Sequence, residues 1–333
     1  MKLILSLLVG IFSFILSAQE SIKVWSLEEC VTYAIQNNIS VKQSELATQL
    51  QEVEITRAKM NFYPSVSGSV GTNYSFGAPL GNNSFSNSYG VSTSATLYNG
   101  NRNKNLVELA EKDFEISKLN LQKIQDDITL RVVNAYLNIL YNKESVLIAQ
   151  EQIKIGNQLV KRVQKLVDAG TKARNDLFQV DASLAANEEA LVTAENNLDL
   201  ALLDLAQILQ ISHVGFSIKE VRIDLELAKL RYSDSELIYK KALSWRPEIE
   251  NAKIRIENSD IEIAIAESGL LPSVSASYSF GTNYLNVQDV INQSGYFKQL
   301  GDNRGHSTGL SVNIPIFDKY ATRIGVQLSL IHI

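Results

Sequence analysis

The residues of this sequence best able to carry chemistry are few and far apart. A metal site would need three or four His, Cys, Asp or Glu side chains converging at set spacings. His213, His306 and His332 stand alone, and Cys30 is the single cysteine. No metal cluster and no intrachain disulfide framework are therefore expected, and Cys30 reads as a small buried side chain. The sequence has no His-Glu-x-x-His pair and no Gly-rich phosphate loop. The adjacent carboxylates Asp126-Asp127 and Glu188-Glu189 could share acid–base work, but both fall in charge-patterned helical stretches and read as solvated faces. No catalytic residues and no cofactor are expected, so any function must reside in the architecture.

The averages set the first bounds on that architecture. The chain has 333 residues, 45% hydrophobic and 20% charged, with a net charge of -5 and a mean hydropathy of -0.03. These values exclude a basic nucleic-acid binder, a disordered acidic tail and a polytopic helical membrane protein. At the start, Lys2 precedes an apolar run from Leu3 to Leu16, followed by Ser17 and Ala18. That order predicts a secretory signal peptide over 1–18, and the run is too short to span a membrane as a helix.

Punctuation is confined to two windows. Of 17 glycines, 12 fall within residues 61–101 and 269–309, and no charge occurs from Met60 to Asn101. Both windows alternate with period 2. Val66, Val70 and Tyr74 oppose Ser65, Ser67, Ser69 and Ser75, and Val91 and Leu97 oppose Ser92, Ser94 and Thr96. The later window repeats the pattern with Val274 and Tyr278, then Val312 and Ile314. Strands with apolar residues outward, small polar residues inward and aromatics near the ends predict transmembrane β-hairpins over 64–100 and 272–318, with these apolar residues facing lipid. A bilayer tolerates no open sheet edge and four strands cannot close a barrel, so other subunits must complete it.

The windows belong to an internal repeat. Pro64-Ser65-Val66-Ser67 recurs as Pro272-Ser273-Val274-Ser275, and the same offset of 208 lays the helical run 26–60 on 234–268. Ala95-Thr96-Leu97-Tyr98-Asn99 recurs as Ile314-Pro315-Ile316-Phe317-Asp318 at an offset of 219, which predicts a second hairpin loop about eleven residues longer. Each repeat reads helix, helix, hairpin, long helix. Repeat 1 is thus expected over 19–230 and repeat 2 over 231–327.

Between Asn103 and Ala169 there is no proline and only Gly156 as a breaker; as one helix this stretch would span about 100 Å. Leu177, Leu184, Leu191, Leu198 and Leu205 then recur every seven residues, with Val180, Asn187, Ala194, Ala201 and Ile208 three positions on. A strict heptad predicts a left-handed coiled-coil seam. Between the two helices, Gly170 is expected to end the first in the left-handed conformation and Thr171 to cap the second. That turn is the tip of an antiparallel helical hairpin, about 100 Å from the strands.

These residues resemble the TolC-like outer-membrane efflux protein family over nearly the whole expected mature chain. The resemblance rests on Trp25-Ser26-Leu27-Glu28-Glu29-Cys30 with Ala34 and Asn37-Asn38, the paired Pro-Ser-Val-Ser strand starts, and Ala135-Tyr136-Leu137. It continues through Gly170-Thr171 with Asp176-Leu177, Arg246-Pro247-Glu248-Ile249 and Ile314-Pro315-Ile316-Phe317-Asp318. It implies a mainly α protein with transmembrane β: a homotrimer with four strands per subunit in one twelve-stranded barrel, surrounded by outer-membrane lipid, and a periplasmic α-barrel of long helices. It further implies a passive export duct of a tripartite efflux or type I secretion system, located in the outer membrane and reaching into the periplasm. A periplasmic adaptor would engage the tip at Gly170, Thr171 and Lys172, beside an inner-membrane pump; nucleic acid is not a partner. The competing reading is a periplasmic coiled-coil scaffold without channel activity, its hairpins serving as oligomerisation arms. Asp318-Lys319 departs from the strand-end pattern, where the first repeat has Asn99-Gly100.

The repeat arithmetic predicts roughly a hundred further residues, enough for a second long helix, tip and return helix. The last residues, Leu328-Ser329-Leu330-Ile331-His332-Ile333, read as an in-frame transposon mosaic end, so 328–333 are expected to be a non-native tail on an incomplete second repeat.

Overall fold

The computed structural model describes residues 24–77, 83–221 and 234–332. The expected signal peptide and the expected junction between the repeats at 230 and 231 lie outside them. In chain order the elements are strand β1 (Val24–Trp25), helices α1 (Leu27–Asn37) and α2 (Ile39–Met60), and strands β2 (Ser65–Ser75) and β3 (Ser84–Asn99). Helices α3 (Arg102–Asp168) and α4 (Arg174–Leu209) and strand β4 (Ser217–Ile218) follow. Then come α5 (Ser235–Trp245), α6 (Pro247–Glu267), β5 (Ser273–Val287), α7 (Tyr296–Asp302), β6 (Gly305–Asn313) and α8 (Ala321–His332).

The duplication is visible in the element starts. α1, α2 and β2 begin at 27, 39 and 65, and α5, α6 and β5 begin 208 residues later at 235, 247 and 273. α8 begins 219 residues after α3. The second hairpin differs from expectation in two respects. β6 ends at Asn313 rather than near 318, because Pro315 has no N–H to give the ladder. The hairpin connections, 76–83 and 288–304, differ by nine residues rather than eleven, and the second folds its own helix, α7.

The chain forms two compact units, one of residues up to 45 with 121–240, the other of 46–120 with 241 onward. In the first unit α1 starts with a capping box: the Glu29 N–H donates to Ser26 Oγ at 3.3 Å, and the Ser26 N–H to Glu29 Oε2 at 2.8 Å. Its core gathers Cys30 and Ala34 of α1, Val132, Tyr136 and Ile139 of α3, and Leu205 and Leu209 of α4. β1 pairs in parallel with β4. The Tyr136 hydroxyl, on a residue only 1% exposed, donates to the backbone carbonyls of Lys219 and Trp25. Burial lifts that phenol above its ordinary pKa, and its electrostatic interactions with Cys30 and Glu29 add to the lift. At the α1–α2 corner, buried Asn38 donates to the Ile208 carbonyl at 3.0 Å and accepts the Ser40 N–H at 2.9 Å.

In the second unit the start of α3 packs antiparallel on α6 through a polar ladder. Asn251 Nδ2 donates to Asn120 Oδ1 at 2.9 Å, and Asn258 Nδ2 to Asp113 Oδ1 at 2.7 Å. The rungs are seven residues apart on both helices, with Ile116 and Ile254 buried between them. Lys112 Nζ lies 2.7 Å from Glu257 Oε2, and this bond raises the Lys112 pKa. Burial raises the Asp113 carboxyl above the usual carboxylate range; the Asn258 bond pulls it back, Glu262 pushes it up and Arg255 pulls it down. Asn258 is 7% exposed and, among the described residues, its Oδ1 has no hydrogen-bond partner. The amide cannot usefully turn over, since its nitrogen must face the carboxylate.

Candidate functional site

The second unit also holds one antiparallel sheet in the order β2-β3-β5-β6. None of its strands contains Asp, Glu, Lys or Arg. Opposite residues in an antiparallel ladder share a face, so the register sorts the side chains. Val66, Val70 and Tyr74 lie across from Thr93, Tyr89 and Phe85; Val91 and Thr93 across from Phe280 and Tyr278; Val274 and Ala276 across from Val312 and Leu310. Val66, Val70, Tyr74, Val91, Val274, Tyr278 and Val312 thus share one aliphatic and aromatic face.

The other face is mostly serine and glycine, with Asn73, Asn283, Leu285 and Val287 toward the end nearer the hairpin connections. Ser65 meets Ser94, Ser67 meets Ser92, Ser94 meets Ser277 and Ser275 meets Ser311. The hydroxyls of Ser65 and Ser94 lie 3.0 Å apart and those of Ser67 and Ser92 2.9 Å apart. Two expected members of the apolar set fall outside the regular ladder. The register shifts between Thr96 and Tyr98, so Leu97 is the extra residue of a bulge and Tyr98 takes the place opposite Val274. Ile314 lies just beyond the end of β6. β2 and β6 each have one neighbour, which leaves both outer edges of the sheet open among the described residues.

In the first unit α3 and α4 form the helical hairpin. Gly170 has φ +73°. The Thr171 N–H donates to the Leu166 carbonyl and the Gly170 N–H to that of Val167, both at 2.9 Å, which is a Schellman turn. Thr171 does not cap α4: its hydroxyl donates backward to Leu166 at 2.8 Å, and the N-cap is Ala173, without a side-chain bond. The backward bond is a second one to the Leu166 carbonyl, which already accepts the Thr171 N–H, and it takes the hydroxyl away from α4. Lys172 Nζ lies 3.8 Å from Asp176 across the first turn of α4.

Along α4, Leu177, Leu184, Leu191 and Leu198 are partly buried and Leu205 is fully buried, as are their companions at alternating steps of three and four. The mate of this stripe was not read from sequence. It runs along α3 as Val132, Ala135, Ile139, Asn142, Val146, Ala149, Ile153, Gly156, Val160, Val163 and Val167, spaced in the same way and sheltered throughout. Gly156 sits against Leu184: a Cβ there would lie 3.1 Å from Leu184 Cδ1. The three-four spacing was the available signal, obscured by a second, bulkier stripe beside it. That stripe, Leu130, Leu137, Tyr141, Ile148, Ile155 and Leu159, is exposed, as are Leu46, Leu50, Val53 and Met60 on α2.

One motif spacing escaped the sequence reading. Gly305-His306-Ser307-Thr308-Gly309 has the form Gly-x-Ser-x-Gly, but it runs straight along β6 instead of making the strand-to-helix elbow that would expose a nucleophile. Asp127 pairs with Lys123 at 2.8 Å, and Glu188 and Glu189 face solvent. Among the described residues no group of three or more His, Cys, Asp or Glu could hold a metal, and no helix is long and apolar enough to cross a membrane.

Residues 31–209, more than half of the sequence, match the family described as outer membrane efflux protein. The chain belongs to that family. Membership in the outer membrane efflux proteins makes it an outer-membrane protein with helices extending into the periplasm. It is 23% identical over 305 residues to the outer membrane efflux protein BepC of Brucella suis biovar 1, and 22% identical over 306 residues to CyaE of Bordetella pertussis. Each alignment covers 91% of this chain but only 63% and 62% of those relatives. CusC, whose crystal structures concern folding and transmembrane channel formation, superposes with a TM-score of 0.80 at 18% identity, over 92% of this chain and 69% of that one. The outer membrane protein VceC of Vibrio cholerae superposes with a TM-score of 0.73 at 18% identity, over 92% and 72%. Both likenesses carry the fold alone.

Proposed function

We propose that this chain is a subunit of a passive outer-membrane duct, serving a tripartite efflux or type I secretion system that exports small molecules or proteins. The two-faced sheet carries the reading. Its aliphatic and aromatic face suits lipid and its serine face suits a wet lumen, the alternation of outer-membrane barrels. Its two open edges cannot remain open in a bilayer, so β6 of one copy must meet β2 of the next. Three copies of the four strands make a barrel of twelve. The exposed apolar stripes on α2 and α3 are then covered by helices of neighbouring copies.

The tip at Gly170, Thr171 and Lys172 is the contact for a periplasmic adaptor, with energy supplied by an inner-membrane pump. A Cβ at Gly170 meets nothing within 4 Å, and aspartate tolerates the left-handed region better than most residues. Gly170→Asp is therefore expected to insert as trimers but to block export; unchanged export would refute the contact. For the duct itself, heat-resistant trimers in detergent extracts of outer membranes and unitary conductance in planar bilayers are expected. Recovery of the chain in the soluble periplasm would exclude the duct and favour a coiled-coil scaffold.

A further inference from the structure

A row of aromatic rings crosses one end of the sheet and then leaves it. Ring centroids lie 4.6 Å apart for Phe76 and Tyr74, 6.4 Å for Tyr74 and Phe85, and 6.3 Å for Phe85 and Tyr284. The row passes from β5 to α7, where Tyr296 stands 4.7 Å from Tyr284, and Phe297 5.4 Å from Tyr296. Tyr74, Phe85 and Tyr284 lie on the aliphatic and aromatic face.

β6 does not reach this level. Its last pair is Gly305 with Gly281, whereas β5 runs on to Val287. Side-chain amides of the 288–304 connection take the place of the missing strand. Gln299 accepts the Leu285 N–H and donates to the Leu285 carbonyl, both at 3.0 Å. Gln293 accepts the Val287 N–H at 2.9 Å and donates to the Val287 carbonyl, and Asn303 donates to the Asn283 carbonyl at 2.7 Å. α7 is also fixed to the apolar face itself. The Tyr296 hydroxyl lies 2.6 Å from that of Tyr89, and the Thr282 hydroxyl donates to the Leu300 carbonyl at 2.7 Å.

This firmly held connection nevertheless exposes Phe297 by 85% and Ile291 by 86%. In water that exposure forfeits apolar burial. In the headgroup zone of a bilayer, where aromatic girdles collect, the same side chains find a favourable solvent.

We propose that the 288–304 connection is a membrane-seated substitute for a strand: Phe297 and Ile291 occupy the interfacial zone of the bilayer and carry the aromatic girdle across the gap that β6 leaves. This rests on the barrel reading above, and the test separates the two. Phe297→Cys, carrying a nitroxide, is reconstituted in phosphatidylcholine–phosphatidylglycerol vesicles and relaxed with oxygen or with a water-soluble nickel chelate. Cys30 is fully buried and stays unlabelled in the folded protein. Relaxation by oxygen with loss of relaxation by nickel is expected. Strong nickel relaxation puts the site in water and overturns the proposal; shielding from both reagents puts it against protein and overturns it equally. Val70→Cys, mid-strand on the same face, reports on the barrel. Nickel access there defeats the barrel reading, whereas a lipid-exposed Val70 with an aqueous Phe297 defeats the anchor alone. Gln299→Ala, which removes the amide pairing, is expected to sharpen the spectrum of the label at 297, and an unchanged line shape would overturn the strand-substitute role.

Discussion

Asp113→Asn is expected to stabilise the packing of α3 on α6, although it removes a charge-assisted hydrogen bond. In the wild type, Asn258 gives its N–H to Asp113 at 2.7 Å while its own Oδ1, buried, receives no hydrogen bond from any described residue. An ionised carboxylate has no proton to return. A carboxamide at 113 has, and the two amides can close a doubly bonded pair. Satisfying a buried acceptor is worth about 1–3 kcal/mol, and giving up the charge assistance costs about 1 kcal/mol. The variant should therefore gain about 1 kcal/mol near pH 8, or about 0.4 M in urea midpoint for a slope of about 2.5 kcal/mol/M. The pH dependence follows from the raised Asp113 carboxyl. Folding favours its neutral form, so that contribution is whole below the unfolded carboxyl pKa and is lost as pH rises through the folded value. Protonated Asp113 can donate to Asn258 Oδ1, so the advantage of the variant should shrink as the pH falls from 8 to 4. Urea titrations of both proteins in detergent, followed by helical circular dichroism, measure this. A variant less stable than wild type at pH 8, or a difference that does not change with pH, would refute the reasoning.

Three further outcomes are expected. Gly156→Leu should overpack the hairpin seam by about 1–3 kcal/mol, and adding Leu184→Ala should recover much of it because the nearest obstructing atom is Leu184 Cδ1; two independent, additive losses in urea titration would contradict this. Tyr136→Phe should cost about 1–2 kcal/mol by leaving the Lys219 carbonyl without its donor; an unchanged midpoint would mean that water replaces the hydroxyl. Gly170→Val should destabilise the tip by about 1–3 kcal/mol, since a β-branched residue at φ +73° is strained even with open space around it, whereas Gly170→Asn should cost much less; equal protease resistance of the two variants at the tip would count against the strain.

The strands were legible because alternation of valine or tyrosine with serine is a period-2 signal that no helix mimics. The leucine stripe of α4 was legible for the same kind of reason. Its mate on α3 was not, because Ala135, Asn142, Ala149 and Gly156 are seam positions with too little hydrophobicity to register, while Leu137, Ile148 and Ile155 beside them are large and exposed. The Asn120–Asn251 and Asp113–Asn258 rungs were hidden for a related reason: as single letters they are ordinary surface residues, and only the tertiary pairing of α3 with α6 makes them interior. The displacement of Leu97 depends on a bulge, which the even parity of the neighbouring residues conceals. α7 is seven residues long and is held by glutamine side chains on a backbone edge, and no local propensity encodes such a tie. The starts of α1, α2 and β2 do recur in α5, α6 and β5 at the offset of 208 that one motif pair sets, although the sequence reading set bounds there only on the helical run as a whole.

On the duct reading proposed above, the serine face has a consequence for how cargo can change. A hydroxyl rotates at little cost and presents either its proton or its lone pairs, so a corridor of hydroxyls solvates cations, anions and amides with similar ease. Ser65 with Ser94 and Ser67 with Ser92 illustrate this, since either partner in each contact can be the donor. Where it lines the proposed lumen, such a run of hydroxyls would impose little preference of its own, and a lineage could acquire a new passenger without altering it. Selection for a different cargo would fall on whichever component loads the corridor, leaving the strands free to be judged on insertion alone.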